Sequence, residues 1–258
     1  MSRLKQSLLA AVTAVLAPLG YKPNRLHPPA SAQRSVGDVG EFLEDVRARG
    51  LSCRGIEDVG ANTGGFTRKA LAVYPDATFL LIEPQSEMAP HFEALKQKSP
   101  KVEYLIAGAG SQAGELIQTI FENRAGSTFL GETDEVLLRA GKQRKVPIIT
   151  LDEVLRERGF DPTIVHVNAQ GYELEVLKGA ATCFGRTEIF VVEAATMAFL
   201  KGQPTIPEVL SFMTERGYAF YDITWIMRRP LDGALGLVDL AFVKAEGPLR
   251  ASKAWNKS

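Results

Sequence analysis

Asp58-Val59-Gly60-Ala61-Asn62-Thr63-Gly64-Gly65 is the stretch on which the fold turns. Gly55 to Gly60 reads as a short buried strand, and a helix is expected from about Gly64 to Val73. Between them, Gly60 and Gly64 let the backbone bend and approach a ligand without a Cβ in the way. Asn62 can take left-handed geometry or bond the backbone itself. Strand, glycine turn and helix form a unit of an open parallel sheet, and such sheets bind ligands beyond the carboxyl ends of their strands.

Outward from this loop the chain alternates. Thr78 to Glu83, Val102 to Gly108, Thr163 to Asn168 and Glu188 to Glu193 are short apolar runs, with helices expected over Ser86–Lys98 and Tyr172–Ala181. Continuous apolar runs separated by helical stretches indicate a mostly parallel sheet covered on both faces. Ala219–Ile226 and Val238–Lys244 are too close in sequence for a crossover helix, so they predict an antiparallel hairpin. The fold class expected is therefore α/β: a Rossmann-like, class I methyltransferase type of sheet, with helices on both faces and a C-terminal antiparallel hairpin. Apparent strands at Glu115–Phe121 and Val146–Leu151 break the alternation and read as an insertion over about residues 115–150, placed where insertions shape substrate sites. Residues 36–258 then form one domain, preceded by a helix and linker over residues 1–35.

Composition narrows the partners. The chain has 258 residues, with 30 Lys plus Arg against 30 Asp plus Glu, so there is no basic excess to suggest a nucleic acid partner. Cys53 and Cys183 lack metal-ligand spacing and read as two reduced buried thiols of a cytoplasmic protein. Leu4, Leu8, Val12, Val15, Leu16 and Leu19 recur as on one face of an amphipathic helix, in a run too short to span a membrane. A docking helix is the leading reading; weak membrane-surface contact and a cleaved signal are the competing ones.

Further residues complete the loop. Asp58, at its strand end, can bind the ammonium of a methionine moiety, and Glu83, 23 residues after Gly60, can accept both ribose hydroxyls of an adenosine. Pro84 halts the second strand. Gly108, Ala109 and Gly110 leave room for a flat adenine ring, and Phe66 is counted with the same group. The nicotinamide fingerprint needs a glycine where Asn62 stands. Together these features point to S-adenosylmethionine, held by Asp58, Gly60, Asn62, Gly64, Phe66, Glu83, Pro84 and Ala109; a nucleotide cofactor or a purely structural loop are the alternatives.

From about Ile56 to Val243 the chain resembles the FkbM-type methyltransferases. The resemblance rests on Asp58–Gly64, Ile82-Glu83-Pro84, Gly126-Ser127-Thr128, Thr150-Leu151-Asp152, Val192-Glu193 and Val238-Asp239-Leu240. Its most specific part is Gln170-Gly171-Tyr172-Glu173-Leu174-Glu175-Val176-Leu177-Lys178-Gly179-Ala180. It implies a Rossmann-like sheet, S-adenosylmethionine as donor, and O-methylation of hydroxyls on saccharides or other natural products. Where the family usually carries Lys-x-Asp, this chain has His166-Val167-Asn168. The change removes a carboxylate that could serve as cation ligand or base, and no metal site is expected.

An alcohol acceptor must lose its proton to a positioned base. His166, Asn168 and Glu193 are the candidate catalytic residues; His166 titrates in a suitable range, and as strand residues two apart His166 and Asn168 are expected to share a face. The competing reading makes His166 a hydrogen-bonded sheet residue. Glu173 and Glu175 suit the positive end of the following helix, and Lys178 and Arg124 read as solvated charges. The functional expectation is an O-methyltransferase acting on a small-molecule or glycan hydroxyl. The alternative is an S-adenosylmethionine-binding protein of impaired turnover with a regulatory or partner role.

Overall fold

The computed structural model describes residues 34–254. The helix and linker expected over residues 1–35, and with them the membrane-contact reading, fall almost wholly outside the described residues. The chain enters through helix α1 (Val39–Ala48), which the sequence reading did not anticipate. Its signals are local: Asp38 caps the amides of Gly40 and Glu41, and Val39, Phe42, Leu43 and Val46 bury one face. Strand β1 (Gly55–Val59) follows, then α2 (Gly65–Val73), β2 (Thr78–Ile82), α3 (Ala89–Lys98) and β3 (Val102–Leu105). Next come β4 (Gly108–Ala109), β5 (Gly114–Thr119), α4 (Glu135–Arg139) and β6 (Gln143–Ile149). The chain continues through α5 (Leu151–Arg158), β7 (Ile164–Val167), α6 (Glu173–Lys178), β8 (Ile189–Ala195) and α7 (Ile206–Thr214). It closes with β9 (Tyr218–Arg228) and β10 (Leu235–Lys244).

Seven strands form one sheet in the order β3-β2-β1-β7-β8-β10-β9. Neighbours from β3 to β8 run parallel, whereas β10 pairs antiparallel with both β8 and β9. This is the Rossmann-like α/β sheet with an antiparallel terminal hairpin that the sequence predicts. Each face carries its own core. Phe42, Leu43, Ile56, Phe79 and Phe92 pack under α1, α2 and α3; Leu151, Val165, Val176, Phe190 and Phe242 pack under α5, α6 and α7. No helix among the described residues is long and apolar enough to cross a membrane. Both cysteines are free, and Cys53 is half-buried rather than buried.

One expected strand is shorter than predicted. The run Val102–Gly108 ends in the main sheet at Leu105, and Gly108–Ala109 belongs instead to a second sheet of three strands, order β4-β6-β5. The change of sheet depends on Gly108, where a Cβ would come within 2.6 Å of Phe129 and 2.7 Å of Ile148. Residues 114–149 build the rest of this small sheet.

Glu57 on β1 is fully buried, and neither carboxylate oxygen has a hydrogen-bond partner. Burial, reinforced by the charge of Asp152, pushes its carboxyl up to about 8. An acid raised in the folded state binds a proton that the unfolded chain has already released, so stability falls as pH rises through the window between about 4.5 and 8. Replacing Glu57→Gln is expected to flatten that slope by on the order of a few kcal/mol, at ~1.4 kcal/mol per pKa unit. Urea melts at pH 5 and pH 8 measure it; an unchanged pH dependence would refute the assignment.

Candidate active site

A cavity of about 330 Å³ opens at the carboxyl ends of β1 and β2, where Val59, Gly60, Asn62, Ile82, Glu83 and Pro84 line it. Gly60 and Ala61 both donate to the carbonyl of Ile82, which ties the glycine loop to the end of β2 (2.8 and 3.2 Å). Glu83 is buried in the wall. Its Oε2 accepts from the amide of Asn62 at 2.7 Å and its Oε1 from the amide of Gln85 at 3.0 Å. Burial raises the Glu83 carboxyl above its ordinary value, against the pull of these donors. A carboxylate offers about four lone-pair sites, so acceptor capacity remains. Beside it, Oε1 of Gln85 is buried without a partner, and Ala107, Gly108 and Ala109 add a wall of small residues.

A second polar group in the same cavity centres on Glu193 of β8. Asn168 Nδ2 donates to its Oε1 at 3.0 Å and Gln170 Nε2 to its Oε2 at 2.9 Å. Gln170 also donates to Asn168 Oδ1 at 2.6 Å, so two amides and one carboxylate form a closed triangle. Gln170 reaches it from a left-handed backbone, φ 50°, which Glu173 steadies by accepting from the amides of Ala169 and Gly171. Burial, with the nearby charges of Glu173 and Asp239, holds Glu193 well above the usual carboxylate range. Trp225 and Met227, from β9, complete this part of the lining.

The small sheet and its loop supply Gln118, Asn123, Ser127 and Phe129. Glu87 pins this wall by pairing with Arg124 at 2.7 Å and Arg144 at 2.9 Å. Although partial burial opposes it, the two guanidiniums help hold Glu87 down to about 2.

Of the residues expected at the site, Gly60, Asn62, Glu83, Pro84, Ala109, Asn168 and Glu193 line the cavity, and Asp58, Gly64, Phe66 and His166 do not. Asp58 is fully buried behind the wall, its Oδ2 accepting from Thr67 at 2.5 Å and its Oδ1 bonded to His166 Nδ1 at 2.8 Å. Its carboxylate is thus engaged by Thr67 and His166 and does not line the cavity. Phe66 lies on the His166 ring, centroids 4.1 Å apart and planes 11° from parallel, rather than on the cavity wall. Gly64 serves as the left-handed start of α2, φ 78°.

His166 faces Asp58 across the β1–β7 register, while β7 ends at Val167 and Asn168 turns to Glu193. Both side chains lie towards the face that carries Glu193 and Asp239, His166 next to Asp239 and Asn168 bonded to Glu193. Burial alone would depress the imidazolium. Asp239 and Asp58 more than reverse that and push it up to about 10. His166 stands outside the cavity lining and between two buried carboxylates, an arrangement that favours the cation over a free base. Among the described residues no group of three or more His, Cys, Asp or Glu is arranged to hold a metal ion.

The model of the methyltransferase FkbM domain matches residues 58–220, more than half of the chain. The chain belongs to the FkbM methyltransferase family. No curated protein matches the sequence. Among solved structures, the FkbM methyltransferase of Methylobacillus flagellatus aligns at 12% identity and a TM-score of 0.47, covering 82% of this chain and 45% of its own. This chain thus spans less than half the length of that relative. The 1,6-didemethyltoxoflavin-N1-methyltransferase of Burkholderia thailandensis, solved with 1,6-didemethyltoxoflavin and S-adenosylhomocysteine, aligns at 11% identity and a TM-score of 0.46, covering 95% of this chain and 91% of its own. In this FkbM-family chain the sequence reading passed over Gln85, Gln118, Gln170, Trp225 and Met227 as wall residues. Trp225 and Met227 stand two apart on a strand, a spacing that a search for one shared face would have found.

Proposed function

We propose that this cavity binds S-adenosylmethionine and a hydroxyl-bearing small molecule or glycan, and that the protein is an O-methyltransferase. The carrying observation is that Glu83, with acceptor capacity to spare, and the amide-held carboxylate of Glu193 line one cavity. The residues fit the donor. Glu83 is placed for ribose hydroxyls, the unpartnered Oε1 of Gln85 awaits a donor group, and Ala107, Gly108 and Ala109 leave space for a flat ring. S-adenosylmethionine, when bound, supplies an activated methyl group.

What remains for the protein is alignment and proton removal. Glu193 is the base we assign: it faces the cavity, both oxygens are oriented by amides, and its raised affinity for a proton suits it to take one from an alcohol. The lining near it combines neutral amides (Gln118, Asn123, Gln170) with aromatic faces (Phe129, Trp225). Such a surface meets the hydroxyls and apolar faces of a saccharide or a hydroxylated secondary metabolite.

Calorimetric titration with S-adenosylmethionine, followed by labelled methyl transfer to a panel of hydroxyl acceptors, tests both halves. Glu83→Ala is expected to weaken donor binding about 10- to 100-fold, since hydrogen bonds to a charged group contribute ~1.5–3 kcal/mol. Binding that ignores this substitution would overturn the donor assignment. Tight binding with no transfer to any acceptor would favour the alternative, a binding protein of impaired turnover.

A further inference from the structure

Behind the cavity, outside its lining, lies a buried charge cluster. His166 sits between two carboxylates: its Nδ1 is 2.8 Å from Asp58 Oδ1 and its Nε2 3.8 Å from Asp239 Oδ2. Phe66 closes one face of the ring. All three ionisable residues are buried, at 6%, 0% and 7% exposure for His166, Asp58 and Asp239. Asp239 Oδ1 has no hydrogen-bond partner at all, and Asp239 stands directly opposite Glu193 and Trp225 in the β8–β10–β9 register. The charges around Asp239 from α6 and β8, Glu173 and Glu193, are acidic as well. A buried carboxylate without a cation or donors is costly, and His166 is the basic side chain paired with it.

We propose that His166 is a positioning residue: a fixed imidazolium that ties the glycine-loop strand β1 to the hairpin strand β10 and so holds the two sides of the cavity in register. Asp58 passes the tie to α2 through Thr67, whose hydroxyl it accepts, and Gly60 to Gly64 lie between these two anchors. Asp239 carries it to the strand that pairs with both Glu193 and Trp225. The imidazolium donates to Asp58 and lies within ion-pair range of Asp239, whereas a neutral tautomer would offer Asp239 no charge. His166 also lowers the proton affinity that Glu193 would otherwise have. Its charge therefore tunes the base assigned above, and this functional part rests on that reading.

The test begins without any ligand. The sequence has three histidines, so replacing His27→Gln and His91→Gln leaves His166 as the sole imidazole. In the ¹⁵N-labelled protein both ring nitrogens are expected to give protonated signals from pH 6 to pH 8.5. A neutral tautomer at pH 7 would overturn the proposal, whatever the cofactor proves to be. For the functional part, His166→Gln, which removes the charge, is expected to weaken S-adenosylmethionine binding at least about tenfold. His166→Lys, which keeps the charge, is expected to stay within about threefold of the parent, as differences in transition-state and ground-state binding are read. Equal binding by all three proteins would overturn the positioning role. Should His166→Gln fail to fold, the lysine variant and the ligand-free titration still decide the matter: loss of binding in the folded lysine variant would count against a role set by charge.

Discussion

Glu193→Gln is expected to cut methyl transfer about 10²- to 10⁴-fold, the usual worth of a positioned general base, while donor affinity changes by no more than about threefold. The substitution keeps the length of the side chain but replaces one acceptor oxygen with an NH₂ group. That group would face the donating amide of Asn168 or Gln170, one of which now donates to each carboxylate oxygen. Single-turnover transfer of labelled methyl at saturating donor separates chemistry from binding. The parent rate should rise with pH through an apparent pKa above the ordinary carboxylate range, since burial and the charges of Glu173 and Asp239 hold the proton on Glu193. A base must be deprotonated to act, so activity falls as pH falls through that value. The variant should lose this dependence; turnover by Glu193→Gln at the parental rate would remove Glu193 from the chemistry.

Gly60→Ala is expected to be at least as damaging, through geometry alone. Gly60 stands at φ 76°, and a Cβ there would lie 1.8 Å from the carbonyl oxygen of Asn168. No rotamer relieves a clash between a Cβ and a main-chain oxygen. The loop must move away from Asn168, which breaks the bonds from Gly60 and Ala61 to Ile82 or displaces the Asn168–Gln170–Glu193 triangle. Backbone strain of this kind costs ~1–3 kcal/mol before any lost hydrogen bond is added. Thermal melts should show a fall of several degrees, and donor titration a loss of binding under conditions where the variant is still folded. A variant with parental melting temperature and parental affinity would show that the close approach is absent in solution.

The sequence made some parts of this molecule plain and hid others for identifiable reasons. Fully buried parallel strands leave continuous apolar runs, so β2 and β8 could be placed from Phe79–Ile82 and Ile189–Val192, and β7 from Ile164–Val167 around His166, whereas β1, with Glu57 and Asp58, is marked by the glycine turn that follows it. The hairpin followed from the short separation of its strands. Gly108–Ala109 was read into the wrong sheet, because two small residues carry no periodicity and their partners, Ile148 and Ile149, are distant in sequence. Helices α1, α5 and α7 carry only local signals: an Asp38 cap, a Thr150 cap with a Gly159 exit, and a Thr205–Glu208 capping box. At the site, strand-end position correctly drew attention to Asp58 and His166, but position along a strand does not say whether a side chain meets a ligand or another side chain. Each answers the other across a register of 108 residues, a pairing that only the assembled sheet reveals.

The two-residue strand β4 has a wider consequence. It lies where the chain leaves the main sheet, and residues 114–149 form a separately hydrogen-bonded flap of wall, tied to the domain through β4, through Glu87 and its arginines, and through Gln85 and Thr128. On the proposed assignment, donor recognition is written into three short stretches, 60–62, 83–85 and 107–109, that lie outside residues 114–149. Substitutions on the cavity-facing side chains of this flap, Gln118 and Asn123 among them, are therefore expected to alter acceptor contacts more than donor contacts.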